Sequence, residues 1–256
     1  MKPPPPPFPG LNHGTVAAGS GKLTNIVGTV KTTTTVTAPI VLPTGNNILI
    51  DNEANAVIAG GDGNQRITEF GTNASITLGN GNDIVNVVGA GATIVVGNGK
   101  NEITLGAPNR PVHGGTASAI ATITADTLRL GNGTNKVFIG GSGNTIYDGS
   151  GSDTFMGAES GNNTFVLNAN GGTETVGGFS LTNGDKIDLS AILAGTGVTA
   201  ATLNNFVTLA TTTDACHAGW TDTVLTVHGA STATMTLLNS GTLTLSGMTG
   251  ILVLPQ

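Results

Sequence analysis

The sequence predicts an all-β fold: a parallel β-roll, or two-sided β-solenoid, with an 18-residue coil and a C-terminal antiparallel β cap. Three observations predict it. Ile40, Leu49, Ile58, Ile67, Ile76, Val85, Ile94 and Ile103 recur at nine-residue intervals, and Val112 continues the series. An α-helix cannot carry that period, because Gly pairs and triplets interrupt every repeat. A second apolar mark follows two places later at Leu42, Leu78, Val87, Val96 and Leu105, the alternation of a short strand with two inward side chains. Between strands lie Gly-Asn-Gly corners at residues 79–81, 97–99 and 131–133, where Gly permits the positive φ of a tight turn.

The position two before each apolar mark distinguishes the two sides of the coil. It reads Asn47, Gln65, Asp83 and Asn101 on one side and Ala38, Ala56, Ala74 and Ala92 on the other, each series stepping by 18. The true period is therefore 18, with amides stacked at one corner and small Ala closing the other. Amides in register hydrogen-bond up a ladder. Later in the chain Asp126, Asn135, Asn144, Asp153 and Asn163 place polar residues on both sides, so Asn135, Asn144 and Asn163 extend the expected ladders.

Taken in order, residues 1–37 form a Pro-rich arm and a lead-in strand. MKPPPPPFPG reads as polyproline II, and TVKTTTTVT at 29–37 reads as a cap on the first coil. Residues 38–167 form the β-roll. Within it, 107–125 contains Pro108, Pro111 and His113, and Ile103 to Val137 spans 34 residues, read as two coils lacking two residues. A distorted coil or loop is expected there. The period returns at Leu128, Val137, Ile146 and Phe155 and slips by one to Phe165. Residues 168–256 form a C-terminal β region. Thr223-Val224-Leu225-Thr226-Val227 and Thr242-Leu243-Thr244-Leu245 read as antiparallel strands there, and 190–193 as one helical turn.

Composition excludes several classes. The 256 residues include 40 Gly, but charge is only 9% and the hydrophobic share is 38%, which is not the profile of a disordered chain. Gly does not fall at every third position, so the chain is not collagen. Nine Lys+Arg against fifteen Asp+Glu give a net charge of −6, leaving no basic surface for nucleic acid. No apolar run is long enough for a membrane helix, and the N-terminus lacks the apolar region of a cleaved signal peptide. A lone Cys216 excludes an intrachain disulfide framework.

The repeats resemble the RTX (hemolysin-type calcium-binding) nonapeptide, G-G-x-G-x-D-x-U-x, over roughly residues 38–190. Asp148-Gly149-Ser150-Gly151-Ser152-Asp153-Thr154-Phe155-Met156 matches best. Leu78-Gly79-Asn80-Gly81-Asn82-Asp83-Ile84-Val85-Asn86 follows, and the copy at 60–68 contains Asp62 but has Gln65 for the motif's Asp. Gly184-Asp185-Lys186-Ile187-Asp188-Leu189-Ser190 looks like a segment of the C-terminal regions of type I secreted RTX proteins. The resemblance implies a roll ordered by Ca²⁺ between successive loops and export through a type I channel with an uncleaved C-terminal signal. It makes Asp83, Asp153, Asp62, Asp148, Asp185 and Asp188 the candidate ligands. The sequence departs from the motif at Asn101, Asn135, Asn144 and Asn163, and Ca²⁺ affinity follows the count of carboxylates. Amide ladders are therefore expected to replace metal as the main glue, leaving few or weak Ca²⁺ sites.

No catalytic constellation stands out. Gly140-Gly141-Ser142-Gly143-Asn144 lacks the last Gly of a nucleophile elbow, and no P-loop, G-x-G-x-x-G or H-E-x-x-H is present. Cys216 and His217 are adjacent and would point to opposite faces of a strand. Asp185 and Asp188 read as a turn or Ca²⁺ site rather than a glycosidase pair. His13, His113 and His228 stand alone. RTX enzymes carry a catalytic domain before their repeats, and repeats beginning near residue 38 leave no room for one. The expectation is a secreted, extracellular or cell-surface structural protein, not an enzyme. It would self-assemble into a homopolymer, a filament, surface layer or biofilm matrix. The competing reading is a Ca²⁺-dependent adhesin or a glycan- or ice-binding module. The Thr residues, such as Thr77, Thr93 and Thr104, do not form a clear two-column array.

Overall fold

The structure, a computed structural model, describes residues 24–27, 39–106, 125–157, 161–214 and 217–256. The strands are β1 (Thr24–Val27), β2 (Ile40–Leu42), β3 (Asn47–Asp51), β4 (Val57–Gly60), β5 (Gln65–Glu69), β6 (Ser75–Thr77) and β7 (Ile84–Val87). They continue with β8 (Thr93–Val95), β9 (Glu102–Leu105), β10 (Thr127–Arg129), β11 (Thr134–Ile139), β12 (Thr145–Tyr147), β13 (Ser152–Met156) and β14 (Thr164–Val166). The last six are β15 (Gly172–Gly177), β16 (Lys186–Asp188), β17 (Val207–Thr213), β18 (Thr221–His228), β19 (Thr232–Leu238) and β20 (Leu252–Val253). They form two sheets. Sheet A has 11 strands in the order β1-β3-β5-β7-β9-β11-β13-β15-β19-β18-β17, and sheet B has nine in the order β2-β4-β6-β8-β10-β12-β14-β16-β20. Alternation between the sheets at each half-coil, with parallel pairing throughout the body, is the predicted parallel β-solenoid.

The apolar marks become columns. In sheet B, Ile58, Ile76, Ile94, Leu128, Ile146, Phe165 and Ile187 stack in direct register. In sheet A the matching column is Leu49, Ile67, Val85, Ile103, Val137, Phe155 and Val176. All are 1% exposed or less, so the core is the strip between the sheets. Phe155 and Phe165 meet across it, ring centroids 5.4 Å apart at 62°. Such an edge-to-face pair adds to the stabilisation its burial already brings.

The corners are tight because their glycines stack. A Cβ on Gly81, Gly99, Gly133 or Gly151 would collide with the carbonyl oxygen of the glycine one coil earlier, in turn Gly63, Gly81, Gly99 and Gly133. Close approach of one backbone to the next is what fixes Gly at this corner.

Two expectations need correction. Ile103 pairs directly with Val137, and Ile94 with Leu128, so these residues lie one coil apart rather than two. The 34-residue spacing is thus one coil enlarged by an insertion at a corner; Val112 and most of 107–125 lie outside the described residues. Thr242-Leu243-Thr244-Leu245 is not a strand. The chain turns there, with the Met248 N–H donating to the carbonyls of both Thr244 and Leu245. It has no place beside β19, which is already flanked by β15 and β18.

The regular nine-residue spacing ends near residue 167, yet parallel pairing carries on through β15, β16, β19 and β20. β17 and β18 add an antiparallel hairpin to the end of sheet A, the predicted C-terminal cap. Residues 190–195 form a turn closed by the Leu193 N–H to the Leu189 carbonyl, and Leu203–Asn205 is a single 3-10 turn. The arm, Cys216, His13 and His113 lie outside the described residues. No helix among the described residues is long and apolar enough to cross a membrane.

Candidate functional site

The polar residues at the corners form two buried ladders. The corner before the sheet A strands carries Asn47, Gln65, Asp83, Asn101, Asn135, Asp153 and Glu174, all 3% exposed or less. The corner before the sheet B strands carries Asp126, Asn144, Asn163 and Asp185, preceded by buried Ala56, Ala74 and Ala92. The later polar residues, expected on both sides of the coil, divide between these two corners.

Both ladders have a direction. Asn47 donates its side-chain N–H to Gln65 Oε1 at 2.9 Å, Asn101 to Asn135 Oδ1 at 2.9 Å, and Asn135 to Asp153 Oδ1 at 2.7 Å. At the other corner Asn144 donates to Asn163 Oδ1 at 2.9 Å and Asn163 to Asp185 Oδ1 at 3.3 Å. Backbone N–H groups follow the same sense: Gln65 to Asp83 Oδ1 at 2.8 Å, Asp83 to Asn101 Oδ1 at 3.0 Å, and Ala92 to Asp126 Oδ1 at 2.8 Å. An amide accepts from the preceding coil and donates to the next. A carboxylate only accepts, so it fits where a run of amides ends. The runs Asn101-Asn135-Asp153 and Asn144-Asn163-Asp185 have this form. Buried amides that satisfy one another in this way contribute about 1 kcal/mol per bond.

Exposed rows flank the first ladder. The N–H of Asn64 donates to Asn46 Oδ1, that of Asn82 to Asn64 Oδ1 and that of Lys100 to Asn82 Oδ1. A second row runs Asp62, Asn80, Asn98, Asn132 and Ser150 by the same bond. The Gly-Asn-Gly triplets in the sequence mark these rows, although only their glycines were read from it.

The rule breaks at Glu174, which stacks on Asp153 in the register of β13 and β15. Two acceptors meet there, and Asp148 faces them from the corner. Asp148 is 5% exposed and Glu174 0%, and the four carboxyl oxygens of this pair have no hydrogen-bond donor. Burial, and then the neighbouring Asp148 carboxyl, pushes Glu174 well above the ordinary range; burial likewise pushes Asp148 and Asp153 up. A proton shared by Asp148 and Glu174, or a cation between them, satisfies such a pair. Glu174 was missed in the sequence because its copy, Asn170-Gly171-Gly172-Thr173-Glu174, lacks the motif's Asp.

The other candidate ligands do not gather. Asp62 is exposed and accepts from the Asn80 N–H. Asp83 stands between amides, with Oδ1 taken by Gln65. Asp185 is engaged through both oxygens, by Asn163 and by the Ser180 N–H. Asp188 caps the turn at the Ser190 N–H. Among the described residues no three His, Cys, Asp or Glu side chains converge into a metal centre. The donor set that suits a hard cation is the Asp148–Glu174 pair, where buried oxygens lack donors.

The outer face of sheet B holds a further row. Ser75, Thr93, Thr127, Thr145 and Thr164 lie side by side in consecutive strands. Counting by 18 hides it, because Thr93 to Thr127 is 34 and Thr145 to Thr164 is 19. The neighbouring outward column, Thr77, Val95, Arg129, Tyr147 and Val166, is mixed, and the Arg129 guanidinium lies 3.6 Å from the Tyr147 ring centroid. Thr104 belongs to sheet A.

At the C-terminal end of sheet A, β17 reads VTLATTT and pairs with β18 alone among the described strands. Beyond it, Trp220 is 45% exposed and stacks on His217 at 4.4 Å, and His217 Nδ1 lies 3.1 Å from Asp214 Oδ2. Compared with known families, proteins and structures, the chain matches no family model, no curated protein and no solved structure.

Proposed function

We propose that the chain is an exported structural subunit that assembles end to end into an extracellular filament, surface layer or matrix. The observation that carries this reading is the outer edge of β17, which has no partner among the described strands beyond β18: seven residues, uncharged, without Pro. Proteins that stay single blunt such edges with Lys, Pro or bulges, because an open strand templates another chain. A strand of a second copy added to β17 extends sheet A, and a head-to-tail contact that does not close propagates. Low charge and abundant Gly, Asn and Thr suit dense packing of such coils.

Export by a type I channel and binding of Ca²⁺ belong to the same reading and rest on the nonapeptide resemblance. Asp148 and Glu174 would hold the ion, with Asp153 beside them. A bound Ca²⁺ supplies the positive charge that the two buried carboxyls lack. Asp148 then holds its corner in place, and Glu174 ties β15 to that corner.

Electron microscopy of the purified chain with Ca²⁺ and with chelator tests the assembly. Ordered polymers are expected for the natural chain, and dispersed particles for a variant carrying Ala210→Lys and Thr212→Lys on β17. Dispersed particles of the natural chain in both buffers would overturn the reading. Polymers lost on chelation and in Asp148→Asn assign the ion to assembly.

A second reading, a glycan- or ice-binding module, is favoured by the hydroxyl row from Ser75 to Thr164. Glycan pull-down and ice-recrystallisation assays test it, and silence in both removes it.

A further inference from the structure

Sheet A contains a second pair of buried acids, far along the chain from the corner at Asp148. Asp51 ends β3 and Glu69 ends β5, and they are direct partners in the register of those strands. In later coils their inward slot holds Val87, then Leu105, then Ile139. Two carboxyls thus stand in a column that is otherwise apolar. Asp51 is 5% exposed and Glu69 is 0% exposed.

The available donors do not satisfy them. Glu69 Oε1 accepts the Gly71 N–H at 2.6 Å, and Asp51 Oδ1 accepts the Glu53 N–H at 3.4 Å. Asp51 Oδ2 and Glu69 Oε2 are buried with no partner. The charged groups acting on Glu69 are Asp51 and Glu53, both acidic. On the far side β7 offers only Val87, and Arg66 on β5 itself is exposed on the opposite face. Two ionised carboxylates in adjacent strands, away from water and without a cation, repel strongly; one proton between them removes the repulsion and fills both vacant acceptor positions.

We propose that Asp51 and Glu69 hold a single proton between them and act as a pH-sensitive latch on the N-terminal coils of the roll. With the proton in place, the corner from β3 to β4 closes on the corner from β5 to β6. Without it, the two carboxylates force these corners apart or draw in water, and β2 to β5 loosen first. Burial, chiefly, pushes Glu69 up to about 7, which places the release near neutral pH. The sign follows from linkage. The native state keeps a proton that the unfolded chain has already lost, so local stability is present at acid pH and falls as pH rises toward neutral. This inference does not depend on the assembly reading.

The test is hydrogen exchange of the full chain read by mass spectrometry at about pH 5 and about pH 8, corrected for the chemical exchange rate. Protection of peptides covering β2 to β5 should fall about tenfold or more between the two, since a shift of one pKa unit is a factor of ten. Glu69→Gln puts an amide beside Asp51, the arrangement already seen at Asn135 and Asp153, and should abolish that fall. Asp51→Asn should do the same while leaving the Glu69–Gly71 bond in place, and it is read instead if the first variant does not fold. An equal fall in the natural chain and the folded variant overturns the latch. So does Ca²⁺ that restores protection at about pH 8 in the natural chain but not in the variant, because the pair is then a cation site.

Discussion

Asn135 donates its side-chain N–H to Asp153 Oδ1 at 2.7 Å, while the backbone N–H of Asn135 reaches the same oxygen at 3.0 Å. One carboxylate oxygen thus receives both donors of the coil before it. This is the local rule of the ladder: amides pass donors forward and a carboxylate stops the run. Asn135→Asp would place two acceptors in adjacent strands and remove the donor to Asp153. Loss of about 2–3 kcal/mol is expected at neutral pH, the cost of buried acceptors left without donors. Urea unfolding at neutral pH and near pH 4 checks it; the loss should shrink in acid, where a proton replaces the missing donor.

The glycine corners predict an asymmetry among substitutions. A Cβ on Gly99 would meet the Gly81 carbonyl oxygen, whereas at Gly195, with φ of 73°, nothing lies within 4 Å. Gly195→Ala should cost only the left-handed backbone penalty, about 1–2 kcal/mol. Gly99→Ala must also push two coils apart, so it should cost clearly more and broaden the unfolding transition. Thermal unfolding of the two variants side by side measures the difference.

The apolar columns make a further prediction. Ile94 is 0% exposed and lies between Ile76 and Leu128 in sheet B. Ile94→Ala should cost about 2–5 kcal/mol, because flanking coils fixed by backbone pairing cannot close on the cavity. Val95→Thr, next door on the outer face, should change stability by about 0.5 kcal/mol or less. Denaturant midpoints with unchanged slopes would show that both changes act on the native state.

Where the sequence could be read follows from what its period encodes. Ile58, Ile76 and Ile94 are spaced by the coil itself, so their column was visible as arithmetic. The step from Ile103 to Val137 was not, because register is set by hydrogen bonding between strands and an insertion at a corner leaves it intact. The row from Thr93 to Thr127 was hidden by the same insertion. Asp51, Glu69 and Asp148 were within reach: each sits two places after an apolar mark, where Leu42 and Val87 point inward. Reading that slot for charge as well as for apolar residues would have marked them as buried acids. Glu174 needed the structure, since it meets Asp153 only through the pairing of β13 with β15 across an irregular corner.

Asp126 offers a test of the ladder rule through pH. It is 1% exposed, its Oδ1 accepts the Ala92 N–H, and its Oδ2 is buried without a donor. Burial raises its carboxyl from 3.8 to about 6. The group is raised in the native state, so its contribution is intact below about pH 4 and is lost as pH climbs from there through about 6. Asp126→Asn removes the titrating group, keeps an oxygen for Ala92, and gains an N–H directed along the ladder toward Asn144 Oδ1, which already accepts the backbone N–H of residue 126. The variant should therefore match the natural chain near pH 4 and exceed it by about 3 kcal/mol above pH 7, a shift of about two pKa units expressed as stability. Urea unfolding across that range reads the difference between the two chains. A constant gap at every pH would mean that the residue 126 carboxyl carries no excess proton in the folded roll.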